Sequence, residues 1–330
     1  MNTQIYATFG PACRDQNILK EMIAAGATGM RLNLSHTTLS ASDFYIRTYR
    51  EEAKRQGINP KLLIDMQGPE LRVGNLQTAI SLKKGEDFVL GQGGVDIPKE
   101  MIPVAETGDT ILLDDGKIKL EVVRAKEDAL VTRVITGGVL KAHKSIKIQG
   151  KNVKMPILTG HDIDNIKNAK EYGVTALMQP FVLCGEDVAY VRETLKQYDA
   201  QEIRIFAKIE NRIGVEHLED IIKQADVIVI ARGDLGNDMP LWELPRVQKQ
   251  IEQTCKKHNK PYIVVTQMLA SMEQCSVPTR AEVSDIFHAV FYGAYGVMVT
   301  GETAVGKYPV EAVRYLANTA REAEEYRNIR

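Results

Sequence analysis

Several strand-like segments of the chain end in side chains suited to the chemistry of charged oxygens. In MRLNLSH, from Met30, residues two apart share one face of an extended chain, which groups Arg31, Asn33 and Ser35, with His36 just beyond. Burying a guanidinium beside an amide and a hydroxyl is costly without partners or a ligand, so this alternation reads either as a solvated strand end or as a site. As a site, Arg31 suits a phosphate or carboxylate, and Asn33 and Ser35 offer oxygens to a hard cation. In IFAKIE, Lys208 and Glu210 share a face in the same way, and the next apolar run, ending in ARGDLG, supplies Asp234. Lys208 and Glu210 alone could be a plain ion pair. With Asp234 added, the carboxylates match Mg2+, which takes one or two protein carboxylates and completes its shell with water and substrate oxygens. The glycines of GDLG free backbone N–H groups for an anion. Thr266 and Thr300 add hydroxyls, and Glu302 a further carboxylate. Cations, oxygen ligands and N–H donors are the inventory of phosphoryl transfer, which needs positioning and charge neutralisation more than covalent help.

The elements that must hold these residues follow from periodicity. Eight short apolar runs with polar or glycine-rich tails begin at Ile5, Thr28, Lys61, Val174, Ile203, Asp226, Pro261 and Tyr295, and helix-period stretches rich in Ala, Glu, Lys and Leu separate them. Strands alternating with helices imply a mostly parallel sheet, and eight repeats favour closure into a (β/α)8 TIM barrel formed by residues 1–67 and 155–330. Residues 68–154 have a different texture of glycine-punctuated β segments, with DDG at 114–116 as a hairpin signal. They predict a small β-barrel lid domain inserted after the third strand, at the end of the barrel where active sites of this fold lie. From Arg133 to Lys154 that insert carries six basic residues and no acidic one, either a solvated face or a lid that meets phosphate.

Composition narrows the functional classes. The 330 residues are 44% hydrophobic and 26% charged, enough apolar material for a core, and the net charge of -1 leaves no global basic field for nucleic acid or an anionic membrane. Cys13, Cys184, Cys255 and Cys275 are scattered without metal-ligand spacing, which fits a reduced compartment. No apolar run approaches a bilayer span and the first residues lack a signal pattern, so a cytoplasmic protein is expected.

Nine ordered segments carry a family resemblance: ATFGPACR from Ala7, MRLNLSH from Met30, LIDMQGPELR from Leu63, ILLDDGKIKL from Ile111, AKIEN from Ala207, VIARGDLG from Val229, VVTQMLASM from Val264, PTRAEVSD from Pro278 and VTGETAVGKYPVEAV from Val299. The chain resembles the pyruvate kinases over essentially its whole length, and that resemblance implies Mg2+-dependent transfer of a phosphoryl group from phosphoenolpyruvate to ADP, giving pyruvate and ATP. It makes Lys208 the lysine that stabilises the phosphoryl group, Glu210 and Asp234 the Mg2+ carboxylates, and Gly233 and Asp234 backbone donors to the substrate carboxylate. Thr266 matches the threonine of enolpyruvate protonation, and Thr300 keeps a hydroxyl at the same rim. Asn33, Ser35, Asp65 and the carbonyl of Met66 match a K+ site. Arg31 and Arg72 match arginines that orient phosphates, and Asn33, His36, the GPACR turn and Lys144 fall on the nucleotide side.

Departures from the family pattern accompany the matches. After the third strand the usual D-T-K-G-P-E-I-R reads DMQGPELR; Glu70 resembles the K+-dependent members, whereas Gln67 and Val73 resemble K+-independent ones. The usual S-F-V-R reads Pro180-Phe181-Val182-Leu183, losing a hydroxyl and an arginine. These changes keep two other readings open, a diverged kinase or phosphatase for another small molecule and a Mg2+-dependent enolate lyase on the same barrel. The resemblance ends with REAEEYRNIR, where the family continues into a C-terminal regulatory domain, so the expectation is a chain without that domain, a homodimer through the barrel or a monomer.

Overall fold

The computed structural model of the protein describes residues 3–35 and 37–329. Its strands, in chain order, are β1 Gln4–Thr8, β2 Gly29–Asn33, β3 Lys61–Asp65, β4 Ile80–Leu82, β5 Asp87–Gly91, β6 Thr110–Leu113, β7 Ile118–Ala125, β8 Ala129–Thr136, β9 Gly138–Leu140, β10 Ile146–Ile148, β11 Ala176–Gln179, β12 Arg204–Ile209, β13 Val227–Ala231, β14 Tyr262–Val265 and β15 Gly296–Met298. Eight of these close into a parallel barrel in the order β1-β15-β14-β13-β12-β11-β3-β2, each falling on one of the eight apolar runs. Strand β13, VIVIA, is buried along its whole length, as expected where a barrel wall is covered on both faces.

Side chains two apart along the barrel strands fill the interior. Tyr6, Leu63, Met178, Phe206, Val229, Val265 and Met298 form an apolar plug drawn from most of the strands. One step further toward the C-terminal ends, the same faces carry Thr8, Arg31, Asp65 and Lys208, paired in register with their neighbours: Thr8 with Arg31, Asn33 with Asp65, Lys208 with Val229. Polar groups therefore sit at the rim because the strands run past the plug.

The flanking helices bury apolar stripes, and some of them start from a capping box. In Leu244–Lys257, Val247, Ile251 and Cys255 recur every four residues and are buried, and Lys256 and Lys257 lie in the last turn, where cations complement the helix dipole. Helix Arg280–Phe291 starts from Thr279 with Glu282 closing a capping box, and Gly160–Ala169 from Thr159 with Asp162. Pro309 opens the last helix, Pro309–Ile329, where its fixed φ and missing N–H do no harm.

The chain forms two compact units. The barrel unit runs up to Gly68, resumes over Leu158–Gly233 and continues from Leu244; the second comprises Pro69–Ile157 together with Asp234–Glu243, a segment that the expected 68–154 insert leaves in the barrel. Within the second unit, β10-β6-β7-β8-β5 form an antiparallel sheet and β4-β9 a two-stranded ladder. The DDG signal is the turn between β6 and β7, with Asp114, Asp115 and Gly116 all at positive φ (48°, 57° and 80°), as a tight hairpin requires. This unit has its own core, built from residues such as Leu90, Ile111, Leu120, Leu130 and Ile146. Among the described residues, no helix is long and apolar enough to cross a membrane.

Candidate active site

The barrel rim is organised around Asp65, the last residue of β3. Its Oδ2 accepts from both Nε and Nη2 of Arg31 at 2.8 and 2.7 Å, and its Oδ1 from Nζ of Lys208 at 3.4 Å. Lys208 also pairs with Oε1 of Glu210 at 2.8 Å. Strands β2, β3 and β12, with Glu210 just past the end of β12, thus bring a guanidinium, two carboxylates and an ammonium into one chain of ion pairs. Burial would push Asp65 up, but the charges of Lys208 and Arg31 outweigh it and hold its carboxyl below the usual range. Burial would likewise lower Lys208, and Asp65 and Glu210 reverse that, raising it above an ordinary lysine. The network fixes charged forms: an ammonium whose side chain is only 15% exposed, kept protonated by two carboxylates.

Glu210 is held from a second direction. Its Oε2 accepts the backbone N–H of Phe181 at 2.8 Å, and Phe181 stands at φ 54°, a left-handed conformation rare for a bulky residue. The strained residue belongs to the PFVL segment that departs from the family pattern. Next to it, Pro180 packs on the chain leaving β3: a Cβ at Gly68, itself at φ 61°, would stand 2.4 Å from Cγ of Pro180. Gly68 is therefore required by both its dihedral and the close approach.

Asn33 and Ser35 turn toward each other, the Asn33 Oδ1 accepting the Ser35 N–H at 3.1 Å, and Asn33 faces Asp65 across the ladder. Met66 donates its N–H to the Met178 carbonyl at 3.1 Å. Thr300 donates its N–H to Oε2 of Glu302 at 2.6 Å, while Oε1 of that same buried carboxylate accepts the N–H of Leu269 at 3.0 Å. Glu302, placed with the rim ligands by its sequence position, thus ties the β14 and β15 ends together through backbone. Gly233 sits against Thr266: a Cβ there would lie 3.1 Å from the threonine Cγ2. GDLG forms part of a short helix, Arg232–Asn237. His36 lies outside the described residues.

Arg72 and Lys144 belong to the inserted unit. Arg72 donates to Glu70 at 2.5 Å and to the His143 carbonyl at 2.7 Å, and Lys144 pairs with Asp114 at 2.7 Å. The hydrogen bond from Lys144 holds the Asp114 carboxyl below its usual range. The basic stretch is compensated in the same way: Arg133 pairs with Asp87, Lys147 with Asp238, and Lys151 with Glu106 and Asp109. Four of the six basic residues of that stretch, Arg133, Lys144, Lys147 and Lys151, thus have acidic partners.

Arg232 and Asp162 support the rim and were not singled out by the sequence, which marked Phe181 only as part of a departing segment. Asp162 is fully buried and accepts the N–H groups of Gln67 and Gly68, where the chain leaves the barrel, and of Thr159, where it returns, at 2.9, 3.1 and 2.9 Å. Its only sequence signal is the T-x-x-D capping box. Among the described residues, no three His, Cys, Asp or Glu side chains converge as a metal cluster.

Comparison with known proteins follows the same residues. The family model "Pyruvate kinase, barrel domain" matches residues 1–313. A pyruvate kinase of Geobacillus stearothermophilus is 40% identical across 99% of this chain, one of Thermococcus litoralis 39% across 98%, and one of Chlamydia pneumoniae 36% across 98%. The chain spans 58% of the length of the Geobacillus protein, 70% of the Thermococcus protein and 69% of the Chlamydia protein. A barrel whose rim ends in Arg31, Asp65, Lys208 and Glu210, matched at this identity from end to end, leads to one assignment: the chain belongs to the pyruvate kinase family.

Proposed function

We propose that this chain transfers the phosphoryl group of phosphoenolpyruvate to ADP, producing pyruvate and ATP. The observation that carries the reading is the buried, permanently charged Lys208 between Asp65 and Glu210, on a barrel matched to the family over residues 1–313. As the bond from phosphorus to the enol oxygen breaks and a bond to the terminal oxygen of ADP forms, negative charge spreads over the transferred oxygens. Lys208 meets that charge without prior reorganisation, because two carboxylates already fix it. The enolate left behind takes a proton at its methylene carbon, and Thr266, half-buried at the rim, is the hydroxyl assigned to that step.

The donor chemistry suits the metals the family uses. Glu210 is a buried carboxylate that meets Lys208 at Oε1 and the Phe181 N–H at Oε2, leaving a lone pair on each oxygen for Mg2+, with Asp234 as the second carboxylate carried over from the resemblance. Mg2+ would neutralise phosphoryl charge and orient substrate oxygens. Asn33, Ser35, Asp65 and the Met66 carbonyl form an oxygen-only set that suits a hard monovalent cation such as K+. Gly233 and Asp234 are assigned to the substrate carboxylate, Arg31 and Thr300 to the rim beside the transferred group, and Arg72 and Lys144 to the nucleotide. Action in the cytoplasm, and a homodimer formed barrel to barrel, belong to the same reading.

The test is a coupled assay of pyruvate formation from phosphoenolpyruvate and ADP with Mg2+, run in matched K+ and Na+ buffers. Turnover that needs both substrates and the metal is expected, faster in K+. No pyruvate from folded protein would overturn the reaction; equal rates in the two salts would overturn the K+ assignment alone.

A further inference from the structure

Where β14 ends, the backbone does something that its residues resist. Thr266 and Gln267 follow one another at φ 74° and 56°, both left-handed, and neither is glycine. A β-branched residue in that region is a genuine outlier, and such strain persists only where surrounding contacts over-determine it.

Those contacts come mainly from one side chain. Arg232, the first residue after β13, donates from Nε and Nη2 to the Thr266 carbonyl at 3.1 and 2.8 Å, and from Nη2 to the Gln267 carbonyl at 3.3 Å. Its Nη1 pairs with Oδ2 of Asp285, on helix Arg280–Phe291, at 2.6 Å. The guanidinium side chain is 11% exposed. A planar fork anchored at one end by a carboxylate can grip two successive carbonyls at once, which a lysine ammonium does not reproduce. On the other side, Gly233 leaves room for the threonine side chain: a Cβ there would stand 3.1 Å from the Thr266 Cγ2.

We infer that Arg232 and Asp285 form a positioning pair that holds Thr266 in its strained conformation and thereby sets the proton transfer to the enolpyruvate carbon. Neither residue donates that proton. The inference rests on the role proposed for Thr266 and adds the device that aims it.

The experiment separates the two steps. Pyruvate, ATP and Mg2+ are incubated with enzyme in D2O, and exchange of the pyruvate methyl protons, the protonation step read in reverse, is followed by NMR alongside forward turnover. Arg232→Lys is expected to slow exchange at least tenfold with the KM for ADP within about threefold of wild type, and Asp285→Asn to act in the same direction more weakly. Combined with Thr266→Ala, Arg232→Lys is expected to add little further loss of exchange, because both act on one group. Should Arg232→Lys not fold, Asp285→Asn, at the partly exposed end of the clamp, carries the same comparison. Wild-type turnover with exchange unaffected by the folded clamp variants, or losses that multiply in the double variant, would overturn the inference while leaving the proposed reaction standing. Wild-type protein that forms no pyruvate from phosphoenolpyruvate and ADP would overturn both.

Discussion

Lys208 is the residue on which most of the rim converges, and its variants give the sharpest expectation. Lys208→Met removes the cation shared by Asp65 and Glu210, and a charged donor aimed at developing charge is typically worth on the order of 10^2 to 10^3 in rate. We expect pyruvate formation to fall by at least that factor in the coupled assay. The melting temperature should fall as well, because Glu210 loses its ion pair and keeps the Phe181 N–H. Asp65 would be less exposed to the loss, since the guanidinium of Arg31 still holds Oδ2. A variant with near-normal rate would remove Lys208 from the chemistry, whatever its stability.

At the scale of elements, the two barrel segments that flank the insert in the chain are tied to each other by one buried carboxylate. Asp162 caps helix Gly160–Ala169 and simultaneously holds Gln67, Gly68 and Thr159, so both chain crossings hang on a single side chain. Asp162→Ala loses a helix cap and leaves buried N–H groups without partners; the cost should be about 3 kcal/mol. A lowered urea midpoint, with faster limited proteolysis between residues 66 and 70, is the expected outcome. Asp162→Asn should retain part of the stability, since its carbonyl oxygen can still accept. A midpoint unchanged in Asp162→Ala would mean that these two barrel segments are held elsewhere.

At the scale of the whole molecule, charge sets both the pH range and the limits of what the sequence reveals. Asp65, Asp114 and Glu282 all have carboxyls held below their ordinary values in the folded protein. The unfolded chain therefore binds more protons than the folded one as pH falls below about 5, so their stabilisation is complete above that range and lost progressively in acid. Lys208 is shifted upward, so its contribution is complete below about pH 10 and lost only in stronger alkali. Denaturation midpoints measured from pH 3 to 9 should rise through the acid limb and then level off, and no alkaline loss of activity below pH 10 should trace to Lys208. The alternation of Arg31 with Asn33 and of Lys208 with Glu210, the all-apolar VIVIA of β13 and the DDG turn were legible because strand and turn periods are local properties of the chain. So the sequence alone determined the eight barrel strands, the β segments of the insert, the alternation that puts Arg31 and Lys208 near the ends of their strands, and the family. Only the tertiary structure decided that Asp65 joins Arg31 to Lys208 across 34 and 143 residues of chain, and that Phe181 and Arg232 take up strained or clamping positions. It also decided that the basic stretch of the insert meets acidic partners of its own, one of them, Asp238, drawn from the 234–243 segment. Such pairings depend on which distant side chains the closed folds bring within a few ångströms, and no local period encodes that.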